Sequence, residues 1–239
     1  MSATGARLSP SPRIEADGAR VSCKRKSALV RLLHALNQPL TGLQCSQELA
    51  LAVPRRPEQY VQTLREGAGL THRMRMLVEA MREVIDLQES RIPSNQAFLL
   101  QELLLEVIDE LRPVAESRRV RITLDCDSTI AVASERGFFA GLIFRLIESL
   151  LGLAAADSEI GIAGRKHEKR IQLRCGWREP ERERMVELCP AELGLLLVET
   201  SCERIGGRWE RSDGDRRSCT MWLAPFSGEV HPRALEEAQ

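Results

Sequence analysis

Three side chains within Leu33-His34-Ala35-Leu36-Asn37-Gln38-Pro39-Leu40 could do chemistry: His34, Asn37 and Gln38. A neutral imidazole nitrogen attacks phosphorus, and the phosphoramidate it forms passes its group on readily. Gln38 stands four residues on, above His34 on the same helix face. Pro39 follows at once, and an interior proline costs a helix about 3 kcal/mol. A helix that accepts that cost marks this turn as special.

The surrounding pattern supplies the helix. Leu29, Leu33, Leu36, Leu40 and Leu43 recur at alternating steps of four and three, an apolar stripe suited to a bundle seam. His34 lies one residue round from that stripe, on a flank with Val30, Asn37 and Thr41, where an attacking nitrogen can be reached. The helix is predicted to begin near Ser27, and Val53-Pro54-Arg55-Arg56-Pro57 breaks it. A second helix follows, with Tyr60, Leu64, Met74, Val78, Met81 and Ile85 at heptad spacing, and Ile92-Pro93-Ser94-Asn95 ends it. A lone two-helix hairpin leaves one apolar face wet. Pairing two of them into a four-helix bundle covers it, so a homodimer is expected.

From residue 97 the texture changes. A helix carrying Leu99, Leu103, Val107, Ile108 and Leu111 is predicted to end near Arg112-Pro113. Strands follow at Val120-Ile122-Leu124 and Ile130-Val132, then an apolar helix over 135–155. Further strands are expected near Ile160-Ile162 and at Ile171-Leu173-Cys175-Trp177, a helix over 191–204, and a closing hairpin over 207–224. Helices with a mainly antiparallel sheet make an α+β fold, a two-layer sandwich behind the hairpin. The expected division is a flexible tail over 1–24, the hairpin over 25–92, the sandwich over 93–227 and a second tail over 228–239.

Composition narrows the function. The 239 residues carry 34 basic and 34 acidic side chains, so no global field points to nucleic acid or an anionic membrane. Aromatics are 4%, too few for base-stacking platforms. The stretch 137–156 is apolar but carries Arg145 and Glu148, costly at mid-bilayer. A cytoplasmic protein without membrane insertion is expected. Seven cysteines at irregular spacing, with no C-x-x-C pair, suggest reduced thiols and no metal site. His72, His167 and His231 read as ordinary residues, and Gly206-Gly207 as a helix stop.

The His34 box resembles the phosphoacceptor box of two-component histidine kinases, in the variant His-Glu-x-Asn-Gln-Pro-Leu. Ala35 stands where that variant has an acid. The second half resembles the family's ATP-binding domain, chiefly over 142–149 and from Leu193-Gly194-Leu195 to Arg204-Ile205-Gly206-Gly207. The resemblance implies that His34 accepts a phosphoryl group and that Gln38 orients a water for dephosphorylating a partner. It implies a nucleotide site at Glu148, Ser149 and Gly194, with Arg145 and Ser149 where the family places two asparagines, the second of which helps hold Mg²⁺.

The letters depart from that site in three places. Ser149 offers a short hydroxyl where magnesium needs close octahedral ligation. Cys175 to Arg182 contains no Asp-x-Gly-x-Gly. Glu192 puts a carboxylate where the triphosphate would lie, a repulsion of about 1–4 kcal/mol. No cofactor is therefore expected. The expected function is exchange of phosphoryl groups between His34 and an aspartate of a response-regulator receiver domain, which brings its own magnesium. The alternatives are an ATP-dependent kinase using magnesium and a non-enzymatic dimeric adaptor that binds a regulator.

Overall fold

The chain opens with helix α1, Arg13–Ala52, and turns through a four-residue link into α2, Pro57–Glu89. The computed structural model describes residues 13–89, 96–167, 170–180, 189–213 and 217–225. The turn follows from the sequence. Pro57 takes the first helical position, where its missing N–H forfeits nothing. The Gln59 side chain accepts the Arg56 N–H at 3.0 Å, closing the entry to α2.

Helix α1 begins well ahead of Ser27 and takes in residues 13–24, which the composition suggested were a flexible tail. The segment after Pro12 lacks apolar periodicity, yet half of residues 13–24 are Ala, Arg, Glu or Lys, good helix formers, and no proline interrupts them. The leucine stripe also behaves differently within one chain. Ala28 and Leu32 are buried, whereas Leu33 and Leu40 are 52% and 43% exposed. Leu64, Val78 and Ile85 of α2 are exposed too. The intrachain seam is rotated by one residue from the heptad reading.

The second half begins with β1, Gln96–Leu99, where the sequence suggested the helix had already started. Helix α3 spans Leu100–Ser117 and runs through Pro113, past the stop expected at Arg112-Pro113. Leu111 and Ala115 are buried on either side of the proline, so packing of that face outweighs the lost backbone bond. Strands β2 (Arg121–Cys126) and β3 (Ala131–Ser134) follow, then α4 (Arg136–Leu153), β4 (Glu159–His167) and β5 (Arg170–Trp177). Helix α5 (Pro190–Arg204) and the hairpin β6 (Arg208–Asp213) and β7 (Arg217–Leu223) complete the order. The boundary at 92–95, residues 181 and 182 of the stretch that starts at Cys175, His231 and the tail from 228 lie outside the described residues.

The five-stranded sheet has the order β2-β4-β5-β7-β6, parallel only between β2 and β4. A separate antiparallel pair joins β1 to β3. Alternate residues of one sheet face, including Ile160, Ile162, Ile171, Leu173, Cys175, Met221 and Leu223, are buried. They pack with Leu103, Val107, Phe139, Ile143, Leu146 and Val198 from α3, α4 and α5. The fold is α+β, with a two-layer sandwich after the helical hairpin, as the patterning predicts. Gly206, at φ +74°, ends α5, and the Gly207 N–H reaches the Cys202 carbonyl at 2.9 Å. That is the left-handed cap expected of Gly206-Gly207. No helix among the described residues is long and apolar enough to cross a membrane.

Candidate functional site

His34, Asn37 and Gln38 all stand exposed on α1, with Val30 and Thr41 exposed on the same flank. Pro39 is buried beneath them and supplies no N–H to the helix. The Thr41 hydroxyl donates to the Asn37 carbonyl at 2.9 Å, fastening the turn after the histidine. An imidazole held on a rigid helix and open to solvent can meet a phosphoryl group carried in by another molecule.

Ala35 faces the other way. It is half-buried in a cluster formed by Ala28, Leu32, Leu77, Ala80 and Val84 of the hairpin with Leu193, Leu196 and Leu197 of α5. A carboxylate here would be pressed against leucines, where an unpaired charge is costly. The small side chain therefore has a packing reason that the sequence pattern alone did not supply.

The residues assigned to a nucleotide lie at a second place, a cleft of about 520 Å³ between α2, α4 and the start of α5. Glu148, Ser149 and Gly194 all line it. Ser149 is 4% exposed and abuts Gly194 so closely that a Cβ on residue 194 would overlap the serine hydroxyl. A Cβ on Gly152 would come within 2.8 Å of the Ala191 methyl. Small residues thus let α5 lie tightly on α4, and the pair Ser149–Gly194 is a helix crossing.

Charge in the cleft also differs from what a polyphosphate requires. Glu79, Glu83 and Glu148 face it against Arg118 and Arg145, and Arg145 is held by Glu83 at 2.5 Å. Three carboxylates line it against two guanidiniums, with Glu79 also paired to Arg75 at 3.8 Å. One expectation about this charge is corrected. Glu192 does not line the cleft; its carboxylate accepts two bonds from Arg211, at 2.6 and 2.8 Å. That bidentate pairing neutralises the charge and turns it toward β6.

The end of β5, where the family's Asp-x-Gly-x-Gly would start, is committed elsewhere. Trp177 is buried in the core with the Arg211 guanidinium 5.9 Å from its ring centre. Glu179 pairs with Arg217 at 2.9 Å. Of the remaining histidines, His72 accepts from Arg75 through Nδ1 at 3.3 Å, and His167 packs on Trp222 at 5.6 Å between ring centres. Both are ordinary surface contacts. The Cys126 thiol is pushed up to about 11, chiefly by burial, so it stays protonated and unreactive at neutral pH. No metal-holding group of His, Cys, Asp or Glu occurs among the described residues.

Relatives fit this layout. No family model matches the chain. It is 19% identical over 207 residues to the sensor-like histidine kinase SenX3 of Mycolicibacterium smegmatis, covering 86% of this chain and 50% of that protein. The chain thus spans about half the length of the curated relative it matches. Its structure superposes on the Acinetobacter baumannii histidine kinase AdeS with a TM-score of 0.54, over 81% of this chain and 98% of that one, at 18% identity. The fold is that of the two-component histidine kinases. A histidine kinase ThkA, solved in complex with the response regulator protein TrrA, gives a TM-score of 0.58 at 16% identity, covering 89% of this chain and 67% of that one. In the histidine kinase-like frame, the hairpin carries His34 and the sandwich corresponds to the ATP-binding layer.

Sequence reasoning missed Glu83, Arg31, Glu199 and the apolar face of α5 that meets the hairpin. A signal was present. Leu193, Leu195, Leu196, Leu197 and Val198 cannot all lie on one helix face, so α5 had to be covered on two sides.

Proposed function

We propose that this chain exchanges phosphoryl groups between His34 and the aspartate of a response-regulator receiver domain, without productive use of ATP. The observation that carries the reading is a contrast. His34 is exposed beside Asn37 and Gln38, while the cleft residues are engaged in a helix crossing and an ion pair. The imidazole nitrogen attacks the receiver's acyl phosphate, the aspartate carboxylate leaves, and the receiver's own magnesium neutralises the moving charge. Gln38 is placed one turn on, where its carboxamide can orient a water for the hydrolytic direction. The apolar flank left exposed by Leu33, Leu40, Leu64, Val78 and Ile85 suits a second copy of the hairpin, so the working form is a homodimer. The partner proposal draws support from ThkA, a protein of this fold solved with a response regulator.

The test incubates the protein with phosphorylated receiver domains. Label moves to the wild type and not to His34→Ala, and Gln38→Ala slows its release as free phosphate. No label on the wild type, with binding unchanged in His34→Ala, would replace transfer by an adaptor role. The ATP-dependent reading keeps one observation in its favour: a cleft of about 520 Å³ remains between α4 and α5, with Glu192 turned away from it. A fluorescent ATP analogue separates the two, since saturable, magnesium-dependent micromolar binding would overturn the ATP-free mechanism.

A further inference from the structure

The departures from the kinase pattern coincide with one surface. Helix α5 buries Leu195, Val198 and Cys202 against the sheet core. Its opposite face gives Leu193, Leu196 and Leu197 to the hairpin, packed with Ala28, Leu32, Leu77, Ala80 and Val84. Ala35, in the acid's place, and the flexible Met76 and Met81 complete the contact from the hairpin side. Two ion pairs of opposite sense cross the same junction: Glu83 of α2 to Arg145 of α4 at 2.5 Å, and Arg31 of α1 to Glu199 of α5 at 3.6 Å. Arg145 occupies the position of the family's first asparagine. Thus the residue that departs from nucleotide chemistry on each side is a residue of this interface.

We infer that the former nucleotide cleft is a clasp, in which Arg145 and Glu83, with the Ala35-lined apolar cluster, fasten the sandwich onto the His34 hairpin. A carboxylate at 35 would enter the cluster unpaired, and an asparagine at 145 would leave Glu83 without its guanidinium. The clasp holds α5 at a fixed place on α1, one residue round from His34. The inference shares with the proposed function the reading that this cleft departs from nucleotide chemistry, while the contacts of the clasp stand by themselves.

Hydroxyl-radical footprinting of the full chain tests it, because methionine oxidation reports side-chain exposure and three methionines are suitably placed. Met76 and Met81 are half-buried at the junction, whereas Met221 is 1% exposed in the sheet core and reports unfolding. Glu83→Arg and Arg145→Glu, each alone, set like charges against each other. Each is expected to raise oxidation of Met76 and Met81 on the order of fivefold, with Met221 unchanged. The double variant Glu83→Arg/Arg145→Glu restores the pair in reverse and returns both methionines to the wild-type rate. Ala35→Glu exposes them without any change at the ion pair. Should a reversal expose Met221 as well, Glu83→Gln and Arg145→Gln ask the same question without repulsion. Single variants with unchanged footprints, or a double variant as exposed as either single one, overturn the clasp. Wild-type binding of the fluorescent ATP analogue alongside a successful rescue overturns the ATP-free function and leaves the clasp standing.

Discussion

Replacing Gly194 by alanine tests whether the residues aligned with a magnesium site form a packing contact instead. A Cβ at 194 overlaps the hydroxyl of Ser149, a side chain 4% exposed on α4. On propensity alone the change favours the helix by up to about 1 kcal/mol. Forcing extra volume into a tight crossing costs about 1–3 kcal/mol, so the net expectation is a loss of about 1–2 kcal/mol. Ser149→Ala removes the overlapping oxygen. The nearest neighbours of the new methyl are then the residue 149 Cβ at 3.3 Å and Arg145 Cγ at 3.8 Å, which shifts of a few tenths of an ångström accommodate. The double variant is therefore expected near wild-type stability, with a coupling of about 1–3 kcal/mol between the two sites. Urea unfolding curves of the four proteins give the cycle, with the slope of each curve checking that the same surface unfolds. A neutral Gly194→Ala, or a coupling below about 0.5 kcal/mol, would show that Ser149 rotates freely into the cleft. The packing account of the site would then fail.

Leu32→Ala should cost about 2–4 kcal/mol, since Leu32 is fully buried at the junction of hairpin and α5. Leu33→Ala, with its side chain 52% exposed, should leave unfolding of the dilute monomer within about 0.5 kcal/mol; equal losses at both sites would refute the seam register. Arg119 sits at φ +56°, and its ion pair to Asp157 at 3.3 Å is well exposed. Arg119→Gly should therefore raise the thermal midpoint, the relieved left-handed backbone outweighing a weak surface pair of at most about 1 kcal/mol. The Cys126 thiol titrates near 9 when unfolded and about 11 when folded, so the unfolded chain ionises first. Its contribution to stability is complete below pH 9 and drains away as pH rises from 9 to 11. Cys126→Ala should flatten that part of the stability curve, read as the difference between wild-type and variant midpoints across the window.

Much of the architecture is legible in the letters because it rests on local rules. Pro54 and Pro57 end one helix and start another, alternation marks β4 and β5, and Gly206-Gly207 closes α5. Reading fails where tertiary packing outweighs a local signal. Pro113 is a stop by propensity, yet α3 continues because Leu111 before it and Ala115 beyond it are both buried. The leucine heptad of α1 marks one stripe, and the fold buries the neighbouring one through Leu32 because α5 competes for the hairpin. At the candidate site, the exposed turn carrying His34, Asn37 and Gln38 was visible as types and spacing. Glu192 was misread because its partner, Arg211, lies 19 residues away on β6.

The sequence by itself determined the helical hairpin, the α+β order behind it and the exposed flank of His34, since each depends on neighbours within a few residues. Only the tertiary structure decided that Ser149 and Gly194 form a helix crossing, that Arg145 answers Glu83 and that Ala35 packs against the cluster shared by the hairpin and α5. Those facts depend on which elements meet, and side chains dozens of residues apart in the chain carry no local trace of one another.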